Sequence, residues 1–270
     1  MSQRGDADAR SHDQLIARFA EACASDERIV AAFVGGSIAR GEADRYSDVD
    51  LCVVTSDESA DDVFADRAAL AAHLGTPLFL EDWGEEIREV FVILADGTDV
   101  EMIFVVERRI HEMQVGPILP LLDRTGLLTG LELPIRAPLS GDLADELRRI
   151  LAWFWHDVSH LIKALGRDQL WWAAGEVEAL RGYCVNLVRI EQGVEASVEP
   201  YFKVDVEAST EPLESLRSTF VPLEAATLAR AAFELVTFFG AHGRPLADAH
   251  GLEYPSELDQ LMRSRLEALV

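Results

Sequence analysis

Between Phe33 and Val54 the chain reads FVGGSIARGEADRYSDVDLCVV, an apolar run closing on two glycines and a serine, then a second apolar run opening on Asp48-Val49-Asp50. Strand side chains alternate between faces, so Asp48 and Asp50 project from the same side while Val49 points to the other. Two carboxylates on one face repel and raise each other's pKa unless a cation sits between them. The economical cation is Mg²⁺, which takes oxygen ligands and shares its shell with substrate phosphates. Upstream, Gly35-Gly36 lets backbone approach a ligand closely, and Ser37 opens a short helix-like segment whose N–H groups and hydroxyl can hold a phosphate. Taken singly, the glycines also suit a plain tight turn, and Arg40 and Arg45 suit solvated loop charges.

The flanking sequence gives this segment a sheet to sit in. Leu15, Ile16, Phe19, Ala20 and Cys23 fall at helical spacing over 12–24, and RIVAAFV (28–34) reads as a buried strand. SDVDLCVVT (47–55) is a second strand, 60–74 a helix and 76–83 a short third strand. Two β-rich runs, 87–97 and 98–106, meet at Asp96-Gly97, a strong hairpin signal. Beyond Arg108 the texture turns proline-marked and connective. After Asp142, read as an N-cap, helices are expected at 142–165, 168–193, 212–240 and 255–269, separated by glycine or proline. The expected organisation is a mixed-sheet α/β domain over 1–107, a linker over 108–141 and an all-α helical domain over 142–270.

Composition narrows the function classes. With 270 residues, 49% of them hydrophobic, the chain can bury one large core or two ordinary ones. It has no run of 18 apolar residues and no apolar N-terminal stretch of the secretory kind, so the expectation is a cytoplasmic protein without a membrane partner. Cys23, Cys52 and Cys184 are too few and too scattered for a disulfide framework or a zinc knuckle. Forty-eight acidic against 24 basic residues give a net charge of −24, which repels nucleic-acid phosphate and favours a cationic small-molecule guest. The same acidity also serves plain solubility.

At this point the residues take on a family likeness. Gly36-Ser37-x-Ala39-Arg40-Gly41 followed by Ser47-Asp48-x-Asp50-Leu51 resembles the signature of the DNA polymerase β-like nucleotidyltransferase superfamily, Gly-Ser-x-x-x-Gly and then Asp-x-Asp. Within it, the pattern is similar to antibiotic nucleotidyltransferases, which adenylylate aminoglycosides or lincosamides. The resemblance implies a third carboxylate on a later strand, and DVEMIFV (99–105) offers two. If Val100, Met102 and Phe104 form the buried face, Asp99 and Glu101 face the other side. Glu101 matches the family's apolar-acidic-apolar pattern; Asp99, beside the hairpin, reads as a turn residue.

The resemblance also implies a reaction. Two Mg²⁺ ions held by Asp48, Asp50 and Glu101 would bridge to a nucleoside triphosphate, ATP being favoured; Gly36, Ser37, Arg40 and Lys163 would bind its phosphates. Glu101 would take the proton of an acceptor hydroxyl, and AMP would pass to a small cationic acceptor with release of pyrophosphate. PLLDRTG (120–126) is similar to the linker of streptomycin- and lincosamide-type enzymes, and Phe154 to Ile190 to their helical domain. Trp171, Trp172, Glu176 and Glu178 become acceptor-binding candidates, with core packing the plainer role for the tryptophans. Glu176 and Glu178 are two apart and cannot share one helix face. Some related enzymes carry a base four residues before the lysine, where this chain has Ser159, which favours Glu101.

HDVSH (156–160) imitates the zinc-protease helix motif, but its acid is Asp where that chemistry uses Glu, and no third ligand follows at familiar spacing. Exposed helix histidines are the plainer reading. Two other function classes stay open: a toxin–antitoxin nucleotidyltransferase acting on a protein, and a non-catalytic nucleotide-binding regulator. The attached helical domain counts against the first, and the intact acids against the second.

Overall fold

β-Branched and aromatic residues crowd Ile29–Val34 (β1) and Val49–Thr55 (β2), and both runs are almost wholly buried. In the computed structural model, which describes residues 2–83, 88–134, 143–194 and 196–269, these strands pair antiparallel at the centre of a six-stranded sheet. Positions 84–87 and 135–142, including the expected start of the fourth strand and the Asp142 cap, lie outside the described residues. The chain divides into two units, Met1–Pro138 and Leu139–Val270.

In the first unit, helix α1 (Ser2–Ser25) leads into β1, a single turn α2 (Gly36–Arg40) leads towards β2, and helices α3 (Ala60–Ala65) and α4 (Arg67–Leu74) follow. Strands β3 (Pro77–Trp83), β4 (Arg88–Leu94) and β5 (Asp99–Val106), a 3₁₀ turn over Glu107–Glu112 and strand β6 (Leu119–Asp123) complete it. The spatial order is β3-β4-β5-β2-β1-β6. Every neighbouring pair is antiparallel except β2 and β5, which run parallel.

Alternation assigns the two faces. Val49, Leu51 and Val53 of β2, with Val100, Met102 and Phe104 of β5, pack under Leu15, Phe19 and Cys23 of α1 and Ala71 and Leu74 of α4. Phe33, Cys52, Val54 and Val105 point the other way, against Ile110, Met113, Leu128 and Leu133. Burying each large side chain contributes about 1.5–3 kcal/mol, which fixes the strand register. Asp50 and Glu101 share the second face.

Several elements differ from the sequence expectation. The helix read over 60–74 breaks at Asp66, which ends α3, precedes α4 and accepts a bond from Arg28 at 2.7 Å. Within the proline-marked stretch 108–141, Leu119–Asp123 forms β6 and pairs with β1, with Pro120 opposite Phe33 beside a register shift. Pro donates no ladder hydrogen bond, and an edge strand tolerates that.

The second unit is helical: α5 (Leu143–Leu165), α6 (Leu170–Glu191), α7 (Val204–Glu207), α8 (Thr210–Ser215), a 3₁₀ turn at Arg217–Thr219, α9 (Ala225–Ala249) and α10 (Ser256–Glu267). Phe154 of α5 stacks on Phe239 of α9, centroids 3.5 Å apart, within a core that includes Trp155, Leu187 and Val236. The single helix expected over 212–240 is instead α8, the 3₁₀ turn and the start of α9; Gly243 and Pro245, in the region read as a separator, lie inside α9, as does Gly240. Gly240 is there because a Cβ would stand 2.8 Å from the Arg263 guanidinium. That guanidinium and Arg244 converge on the fully buried Asp259, which also accepts from the Tyr254 hydroxyl at 3.1 Å. The fold is thus mixed α/β followed by all-α. Among the described residues, no helix is long and apolar enough to cross a membrane.

Candidate active site

Parallel pairing of β2 with β5 puts Asp50 directly opposite Glu101, with Asp48 one residue before β2 on the same side. One oxygen from each of the three carboxylates lies within 4.8 Å of the others. Burial pushes the Glu101 carboxyl up to about 7, and the charges of Asp48, Asp50, Glu89 and Asp99 add to the effect. Such a cluster is costly as it stands and becomes favourable around a cation. Asp99 is exposed at the start of β5, opposite Ile93, and acts on Glu101 only through its charge.

The glycine turn is fitted to this cluster. Gly36 has φ +58°, in the left-handed region, and a Cβ there would fall 1.7 Å from Asp50 Oδ2. Only glycine meets both demands. The Gly35 amide donates to the Asp50 carbonyl at 2.9 Å, tying the turn to β2. In α2, Ala39 N donates to Gly35 O at 3.2 Å, and Gly41 ends the turn at φ +72°. Among the described residues, the buried Ser37 hydroxyl has no hydrogen-bond partner. Leaving such a group unsatisfied costs about 1–3 kcal/mol, which marks a position awaiting a partner. Arg40 is held by Glu42 at 2.8 Å, and Arg45 lies over the exposed Tyr46 ring.

The donor set fits the groups that nucleotide chemistry needs. Three carboxylate oxygens suit a hard divalent cation such as Mg²⁺. The missing Cβ at Gly36 leaves the carboxylates open to it, and the unpartnered Ser37 hydroxyl can donate to a phosphate oxygen.

The sequence model of the streptomycin adenylyltransferase family matches residues 9–269. The chain belongs to this family. It is accordingly a nucleotidyltransferase. Among solved structures it is similar to an aminoglycoside 6-adenyltransferase from Bacillus subtilis, at 14% identity over 95% of this chain and 96% of that one, TM-score 0.42. It is also similar to a nucleotidyltransferase-like protein from Exiguobacterium sibiricum 255-15, at 14% identity over 96% and 89%, TM-score 0.37. Among curated proteins, none matches the chain.

In this family member the helical candidates do not form one group. Trp171 is 84% exposed, whereas Trp172 Nε1 donates to Glu176 Oε1 at 2.5 Å. Glu178 leaves that face and pairs with Arg181, whose Nε donates to Thr219 Oγ1 at 2.8 Å. Lys163 is exposed on α5. The HDVSH segment proves more organised than its sequence suggests: ligand atoms of His156, Asp157 and His160 lie within 4.8 Å of one another. Tyr183 of α6 donates to Asp157 at 3.1 Å, a partnership that no spacing along the chain signals.

Proposed function

We propose that the enzyme transfers AMP from ATP to a hydroxyl of a small cationic acceptor of the aminoglycoside kind, with release of pyrophosphate, and so can inactivate an antibiotic. One observation carries the reading: Asp48, Asp50 and Glu101 converge beside a glycine turn whose serine hydroxyl is buried and unpartnered. Membership of the streptomycin adenylyltransferase family supports the adenylyl group and the acceptor class. A net charge of −24 favours a cationic guest over nucleic acid.

Asp48, Asp50 and Glu101 would hold Mg²⁺, two ions in the full complex. When bound, the metal neutralises charge on the triphosphate and on the leaving pyrophosphate. The Gly36 amide and Ser37 hydroxyl donate to phosphate oxygens, and Arg40, exchanging Glu42 for phosphate, adds positive charge. Glu101 accepts the acceptor's hydroxyl proton, the oxygen attacks the α-phosphorus in line, and the bond to pyrophosphate breaks. Burial and the neighbouring carboxylates favour the protonated form of Glu101 without a metal, and Mg²⁺ bound beside it would restore the carboxylate that accepts the proton.

The test is incubation with labelled ATP, GTP, CTP and UTP across aminoglycosides, lincosamides and purified proteins, the product read by mass. The expected product is an AMP ester of an aminoglycoside. Labelled protein without any labelled small molecule would contradict the reading.

A further inference from the structure

We propose that α5 and α6 together hold a transition-metal ion, zinc or one of similar ligand preference, on His156, His160, Asp157 and Glu176. None of these belongs to the carboxylate cluster of the sheet. His156 and His160 are i and i+4, and Asp157 and His160 are i and i+3, so all three side chains run along one face of α5. The imidazole centroids of His156 and His160 are 4.1 Å apart. The ligand missing from the linear motif arrives from the neighbouring helix, with Glu176 Oε1 at 3.8 Å from His160 Nδ1. Tetrahedral ligands about 2.1 Å from zinc stand about 3.4 Å from one another. Among His156, Asp157 and His160 the ligand-atom separations run from 2.8 Å, for His156 Nδ1 to Asp157 Oδ1, to no more than 4.8 Å, and Glu176 approaches from the His160 side.

The surroundings fit a cation. The Asp157 and Glu176 side chains are only 14% and 13% exposed, and among the described residues neither pairs with an arginine or lysine. Their outer contacts are neutral donors instead, the Tyr183 hydroxyl on Asp157 and the Trp172 indole on Glu176. Carboxylates so far from water need a positive partner, and neutral donors that fix their orientation are the usual support of metal ligands. Two imidazoles with carboxylates suit zinc, nickel or cobalt better than magnesium. Asp157 is engaged by His156 and Tyr183, which leaves it no part as a protease-type base.

The experiment uses the full chain carrying Asp48→Asn and Asp50→Asn, so that the sheet's carboxylates do not compete, stripped with chelator and titrated with Zn²⁺ by calorimetry at pH 8. One zinc per chain is expected. His156→Gln with His160→Gln should weaken it about tenfold or more, with Glu176→Gln following the same direction. Co²⁺ in place of zinc should give visible absorption that the histidine variant lacks. Both imidazoles reach solvent, so the variant should fold; should it not, Glu176→Gln alone decides the matter. No zinc bound, or equal affinity with and without the ligands tested, overturns the proposal.

Discussion

The two halves of this enzyme place their polar side chains by different means. In the first unit the backbone does it: strand register sets Asp50 opposite Glu101, and a left-handed glycine without room for a Cβ brings α2 against Asp50. In the helical unit, polar groups such as Trp172, Glu176 and His160 lie over a core that fixes the helices, and contacts within and between helices, not strand register, bring them together. Register-placed chemistry tolerates almost no substitution at its own positions. The helical core tolerates none beneath it but says little of what lies above.

That contrast can be broken in order of expected effect. Glu101→Gln should lower kcat by about 10³-fold, the middle of the range for a lost general base, with the fold intact; a loss below tenfold would remove Glu101 from the reaction. Asp259→Asn should do the reverse. It strands Arg244 and Arg263, costing about 2–3 kcal/mol by denaturant melting, below the range for fully buried pairs because both arginines reach solvent. Turnover per folded molecule should be unchanged. Ser37→Ala should raise KM for the nucleotide about tenfold, the loss of a hydrogen bond to a charged phosphate, while stability holds or rises, since the hydroxyl has no protein partner to lose. The smallest effect is on melting without metal. Glu101 binds its proton more tightly folded than unfolded, so its contribution to stability is full below the ordinary carboxyl pKa of about 4.5 and is lost as pH rises through about 7. The melting temperature of wild type relative to Glu101→Gln should therefore fall by a few degrees at most over that window, Glu101 being part-exposed. Mg²⁺ should reverse the fall.

The same contrast explains what could be read from the sequence. Short continuous apolar runs exposed β1 and β2, and the alternation of strand side chains gave the shared face of Asp48 and Asp50 and the split of Asp99 and Glu101 from Val100, Met102 and Phe104. Asp96-Gly97 marked the β4–β5 hairpin, and the structure shows why: Gly97 takes φ +85° and Asp96 accepts from the Thr98 amide at 3.0 Å. β6 was hidden, since Pro120 argues against a strand until the strand is known to lie at an edge. The end of α9 was placed too early because Gly240, Gly243 and Pro245 look like breakers, yet tertiary packing keeps them inside the helix. At the site, spacing proposed Asp48 and Asp50, and the family resemblance proposed Glu101. That Asp50 pairs with Glu101 depends on a parallel pairing between strands some fifty residues apart, which the local sequence does not carry. Glu176 beside His160 was invisible for the same reason, being a contact between helices.

Asp48, Asp50 and Glu101 are proposed to form one metal-dependent nucleotidyl-transfer centre. Its most direct test is pyrophosphate release from ATP in the presence of an accepted aminoglycoside, measured against Mg²⁺ concentration for wild type and Asp50→Asn. Removing several kcal/mol of metal-borne charge stabilisation predicts a loss of about 10³-fold in Asp50→Asn, with wild-type activity abolished by chelator and restored by Mg²⁺. Full Mg²⁺-dependent release by Asp50→Asn would contradict the account.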